Sequence, residues 1–155
     1  MPTTLVLGYD GSDCAKKALA HTLELAKHID DVEVFVIHAF EFSIGYVPMG
    51  MTDSPLMMSS EYDQHVDLVR AFGEQAVAEA QQALEAAGIR ATGEVVEGKA
   101  VDVLLETARE KKAAAIVVGS HGEGAMSAAF LGSTALKLLH HSDIPILVVP
   151  RHEKN

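Results

Sequence analysis

The chain has 155 residues, 48% of them hydrophobic and 22% charged, which is enough apolar content for a packed core and too much for a disordered chain. Its net charge of −10 and pI near 5.1 exclude the basic footprint that nucleic-acid or anionic-membrane binding needs, so a phosphorylated ligand must overcome a repulsive far field locally. The lone Cys14 excludes an internal disulfide. With no leader-like N-terminus and no apolar run near the length of a membrane span, the sequence reads as one cytoplasmic domain, residues 1–155.

The first apolar run, Leu5-Val6-Leu7, predicts a short strand. It ends in Gly8-Tyr9-Asp10-Gly11-Ser12, where Ser12 suits the N-cap of a helix that aligns Ala15, Leu19, Leu23 and Ala26, with Asp13 in its first turn. Val32 to Ala39 predicts a second strand. Glu41 to Ser60, EFSIGYVPMGMTDSPLMMSS, carries two prolines, two glycines and four of the six methionines, and predicts a long flexible loop over 41–60, either a plain connection or a lid or partner surface. A long helix follows, capped by Ser59 or Ser60. It aligns Val66, Val69, Gly73, Ala76, Val77, Ala80, Ala83, Leu84 and Ala87, with Gly88 at the C′ position.

Gly93 to Glu97 is more polar and reads as an edge strand. Val101, Leu104, Leu105 and Ala108 mark a third helix, and Ala113 to Val118 a fourth strand. Ala135, Leu138 and Leu139 mark a fourth helix, ended before Pro145, and Ile144 to Val149 a fifth strand. Strands that are nearly continuous in Val, Ile and Leu are those covered on both faces. Their alternation with helices predicts an α/β fold: a single doubly wound, Rossmann-like domain with a five-stranded parallel sheet in the order 3-2-1-4-5 and about four helices on both faces.

In such a sheet a ligand sits beyond the carboxyl ends of the strands, where strand order reverses. That point lies between strands 1 and 4, which end in Gly8-Tyr9-Asp10-Gly11-Ser12 and Gly119-Ser120-His121-Gly122. Asp10 has two readings there: an Asx-turn residue working with Ser12, and an acceptor for a ligand amine or hydroxyl. The stretch GSHGEGAMSAAFLGST, residues 119–134, is neither a phosphate loop with a lysine nor a dinucleotide fingerprint, because Ala125-Met126 and Ser127 stand where those motifs need other residues. What remains is Gly119-x2-Gly122-x9-Gly132-Ser133.

This spacing resembles the ATP-binding class of the universal stress protein family, whose motif is G-x2-G-x9-G-[ST]. LVLGYDGSDCAKKAL, VFVIHAF, AIVVGSHG and LGST followed by IPILVVP are similar to that family too, in order and over essentially the whole chain. The resemblance implies an adenine nucleotide alpha hydrolase-like fold, ATP (or ADP or AMP) with Mg²⁺ as ligand, and a role as a nucleotide-dependent regulator or sensor in stress response. By position it implies that Asp10 and the backbone near Gly8 flank adenine and ribose, with Ala39 against the adenine. Val118, Gly119, His121 and Gly122 are implied around the ribose and first phosphates, and Gly132, Ser133 and Thr134 at the outer phosphates. The sequence departs at Ala114, where the family usually has aspartate, and at His121, often arginine.

Glycines that admit a phosphate to the backbone, and hydroxyls with N–H groups at a helix start, suit this ligand physically. Slow ATP hydrolysis or nucleotidyl transfer on the same scaffold, and a nucleotide-free protein acting through partners, are the alternatives. No complete catalytic set accompanies His121 and Glu123. The adjacent His140 and His141 project differently from a helix and do not suggest a metal site, and Cys14 reads as a small buried residue. Ile146-Leu147-Val148-Val149 would form an apolar sheet edge, which a two-fold partner could pair to give a homodimer; the resemblance implies the same.

Overall fold

Nine elements alternate along the chain in the computed structural model, which describes residues 1–41, 55–122 and 131–151, with backbone alone for 55–61. They are β1 (Thr3–Gly8), α1 (Asp13–Ala26), β2 (Val32–Phe40), α2 (Pro55–Ala86), β3 (Arg90–Glu97), α3 (Ala100–Glu110), β4 (Ala115–Gly119), α4 (Ser133–His141) and β5 (Ile146–Val149). All four strand pairings are parallel and the order is β3-β2-β1-β4-β5, as the alternation of apolar runs predicted. The crossovers divide the helices. One core, between the sheet and α1 and α2, is built on Leu5, Leu7, Val34, Val36, Ala18, Ala80 and Leu84. The other, under α3 and α4, is built on Val6, Ile37, Ile116, Leu104 and Leu138. Successive residues of β1, β2 and β4 serve opposite cores, which is why these strands show no polar alternation.

The helix ends follow local chemistry. Ser12 caps α1, its hydroxyl accepting the Ala15 N–H at 3.2 Å. Gly88 adopts φ 80° and closes α2 with paired bonds, Ile89 N–H to the Leu84 carbonyl and Gly88 N–H to the Glu85 carbonyl. The same motif closes α3, through Ala113 N–H to Ala108 and Lys112 N–H to Arg109, but here a lysine takes the left-handed position, φ 53°.

Three expectations need correction. α2 begins at Pro55, so the 41–60 loop is shorter than predicted, and Ser59 and Ser60 lie inside the helix instead of capping it. A proline lacks only an N–H that a first helical turn does not use. Residues 42–54, which carry the lid reading, lie outside the described residues. β3 begins at Arg90, three residues early, because Arg90, Ala91 and Thr92 pair with Glu33, Val34 and Phe35 while Arg90 also bonds the Asp31 carboxylate at the sheet rim. Leu139, read with Ala135 and Leu138 as marking α4, is 51% exposed; Ala135 and Leu138 suffice to seat this nine-residue helix.

Candidate functional site

The crevice between the tips of β1 and β4 holds a cavity of about 100 Å³. Eight of the residues singled out from sequence line it: Gly8, Asp10, Ala39, Val118, Gly119, His121, Gly122 and Thr134. Gly132 and Ser133 do not, although they adjoin Thr134 at the start of α4. The sequence reading missed Tyr9, Ala15, Ile37, Ala100 and Leu104 as lining residues. Ile37 is on the same side of β2 as Ala39, and Leu104 is on the apolar stripe of α3, so periodicity held a signal for both. Ala100 carried none.

Asp10 bridges the two strand tips. One carboxylate oxygen accepts the Ser12 N–H at 2.9 Å, completing the Asx-turn into α1. The other lies so near Gly122 that a Cβ there would come within 3.3 Å of it. Behind it, Tyr9 is almost fully buried, and its hydroxyl is pushed up from its ordinary value of 10.0 by that burial, then by the carboxylates of Glu79 and Asp10.

On the β4 side, Ser120 ties three elements together. Its N–H donates to the Val149 carbonyl of β5 at 2.8 Å, and its carbonyl accepts the Gly132 N–H at 2.7 Å. Its hydroxyl lies 2.8 Å from Nδ1 of His121, and both side chains are buried. That contact fixes the ring, with Nε2 on the edge turned away from Ser120.

The first turn of α4 adds donors. Gly132 is its N-cap and brings no side chain to the turn, so the N–H groups of Ser133 and Thr134 stand at the positive end of the helix dipole. Among the described residues no group of three or more His, Cys, Asp or Glu side chains is arranged to hold a metal ion, and no helix is long and apolar enough to cross a membrane. His140 and His141 are exposed in the last turn of α4, and Cys14 is buried under Gly119 as a free thiol.

A parallel sheet in this order, with a glycine-walled crevice at its switch point, defines a small doubly wound, Rossmann-like α/β protein. The family model of the universal stress proteins matches residues 1–150, and the chain belongs to that family. A universal stress protein of Methanocaldococcus jannaschii is 29% identical over 150 residues, spanning 97% of this chain and 83% of its own length. Among solved structures, a hypothetical protein superposes with a TM-score of 0.82 at 20% identity over 99% of both chains. A universal stress protein in complex with cAMP gives 0.61 at 26% identity over 95% of both. One from Arabidopsis thaliana with AMP bound gives 0.68 at 17% identity over 97% of this chain and 93% of that one.

Proposed function

We propose that this universal stress protein binds an adenine nucleotide, ATP (or ADP or AMP) with Mg²⁺, and acts as a nucleotide-dependent regulator within one domain. The observation that carries the reading is the convergence of Asp10, His121, Gly122 and Thr134 on a single cavity at the switch point of the sheet. Similar proteins hold AMP and cAMP, which favours an adenine ligand. The adenine would lie against Ile37, Ala39 and Leu104, the ribose hydroxyls would donate to Asp10, and the phosphates would face His121, Ser133 and Thr134.

Magnitudes support this despite the net charge of −10. Each hydrogen bond to a charged phosphate oxygen contributes about 1.5–3 kcal/mol, and the helix dipole roughly 0.3–1. A micromolar complex needs about −8 kcal/mol, within reach of a few such bonds plus burial of the base. Mass spectrometry of ligand released from the purified protein, with calorimetric titration of adenosine, AMP, ADP and ATP with and without Mg²⁺, tests the proposal. An empty protein that takes up none of these at about millimolar concentration refutes it.

The same reading includes a homodimer through β5. This edge strand has Leu147 40% exposed, with Leu136 and Leu139 exposed on the neighbouring α4. Sedimentation of Leu147→Lys against the parent protein tests it: the parent should run as a dimer and the variant as a monomer.

A further inference from the structure

His38 lies in the middle of an apolar strand, flanked by Ile37 and Ala39, and is buried. The pairing of β1 with β2 reaches Gly8 opposite Ile37, so Tyr9 falls opposite His38. One further backbone bond is made, from the Tyr9 N–H to the Ile37 carbonyl at 2.9 Å. In a parallel ladder the next bond in sequence runs from the Ala39 N–H to the Tyr9 carbonyl. That carbonyl instead lies 2.9 Å from Nδ1 of His38. A carbonyl oxygen only accepts, so Nδ1 carries the proton and donates. Among the described residues the backbone bonds between β1 and β2 stop at this point, and beyond it Tyr9, Asp10 and Ala39 line the cavity.

The ring is fixed from behind. Gly73 of α2 packs on it so closely that a Cβ at that position would sit 2.7 Å from His38 Cδ2 and 3.1 Å from Val95 Cγ1. A glycine in a helix interior costs about 1 kcal/mol relative to alanine, and here it makes room for the imidazole. Side chains alternate along β2, so His38 faces α2 while Ile37 and Ala39 face the cavity.

We infer that His38 is a positioning residue for the crevice: by drawing the Tyr9 carbonyl out of the ladder, it keeps the tips of β1 and β2 apart and leaves the Ala39 N–H facing the ligand. The inference rests on the proposed nucleotide site only for what enters the crevice; the effect on the ladder stands alone.

The test is hydrogen exchange at the Ala39 amide together with adenosine titration, in His38→Leu and His38→Asn. Leucine cannot hold the Tyr9 carbonyl, which then turns to the Ala39 N–H. Exchange at Ala39 should slow about tenfold, and adenosine should bind about tenfold more weakly. Asparagine, whose amide N–H stands near the place of Nδ1–H, should restore both. A merely structural role predicts the reverse, faster exchange in a loosened strand. Unchanged or faster exchange at Ala39 in His38→Leu overturns the inference. If the parent protein takes up no adenosine, the nucleotide proposal fails while the exchange measurement still decides the role of His38. Should His38→Leu not fold, Gly73→Ala displaces the same ring, and the same slowing at Ala39 is required of it.

Discussion

Replacing Asp10 with asparagine keeps an acceptor and removes a charge, which separates the two tasks that its oxygens perform. The oxygen that accepts the Ser12 N–H at 2.9 Å holds the turn into α1, and an amide oxygen can accept the same bond. A charge-assisted bond of about 1.5–3 kcal/mol becomes a neutral one of about 0.5–1.5, so Asp10→Asn should lose roughly 1 kcal/mol of stability, or about 2–4 °C in Tm. Asp10→Ala strands the Ser12 N–H and should lose about 1–3 kcal/mol. The second oxygen, beside Gly122 at the crevice, is replaced in Asp10→Asn by an NH₂ that cannot accept from a ribose hydroxyl. For adenosine the loss should be about 1.4–2.8 kcal/mol, ten- to a hundredfold in Kd. For ATP it should be smaller, because removing a carboxylate relieves repulsion of the phosphates by on the order of 1 kcal/mol before salt screening. Calorimetry with both ligands on Asp10→Asn, beside thermal melts of both variants, reads all these quantities. Adenosine affinity unchanged in Asp10→Asn would reduce Asp10 to a turn residue and refute the argument.

Lys112→Gly relieves the left-handed lysine that ends α3. The strain of about 1–2 kcal/mol, less the extra chain entropy of glycine, should leave a gain of about 0.5–1 kcal/mol, seen as a higher Tm by calorimetry. Ser120→Ala removes the hydroxyl that holds the His121 ring at Nδ1. With the ring no longer held there, ADP should lose more affinity than adenosine by calorimetry; equal losses for the two ligands contradict a role for His121 beside the phosphates. The Tyr9 hydroxyl titrates above its ordinary 10.0 in the folded protein, so its contribution is whole below the unfolded value and is lost as pH rises through the folded one. Above about pH 10 the Tm of the parent should therefore fall more steeply than that of Tyr9→Phe.

How far the sequence revealed the molecule depended on whether a residue's role was local or set by register. Val34, Val36, Ile116 and Val117 announce buried parallel strands by composition alone, and with the helices between them they give the sheet order. Arg90 to Thr92 gave no such signal, since an edge strand is only half covered and tolerates polar residues. The start of α2 was hidden by a proline that reads as a loop residue but serves equally well in a first helical turn. In the site, Asp10, Gly119 and Gly122 stood out because glycines and a carboxylate at strand ends are locally conspicuous. His38 did not. It lies between Ile37 and Ala39 within an apolar run, and its bond to Tyr9 exists only because β1 and β2 are in register. Ser120 was likewise visible as a loop residue, but not as the junction of β4, β5 and α4.

The motif glycines look equivalent in sequence, but what surrounds each one differs. A Cβ on Gly119 would stand 2.8 Å from Cys14 Cβ and 3.0 Å from the Cys14 carbonyl, so α1 could not pack on the tip of β4. A Cβ on Gly132 would stand 2.8 Å from the Ser120 carbonyl oxygen and 3.1 Å from His121 Cα. Backbone atoms yield little, and overpacking of this kind costs about 1–3 kcal/mol, so Gly119→Ala and Gly132→Ala should each lower Tm by several degrees whether or not a ligand is present. Loss of binding in either variant is therefore ambiguous, because the fold itself requires those glycines. At Gly122, among the described residues, a Cβ would meet only the Asp10 carboxylate, at 3.3 Å. Gly122→Ala should keep its Tm within about 2 °C of the parent and weaken adenosine binding about tenfold, by displacing that carboxylate and narrowing the crevice. If it melts like the parent and also binds adenosine like the parent, the ligand does not pass between Asp10 and Gly122, and the spacing of the motif would reflect the packing of β4 against α1 and α4 alone.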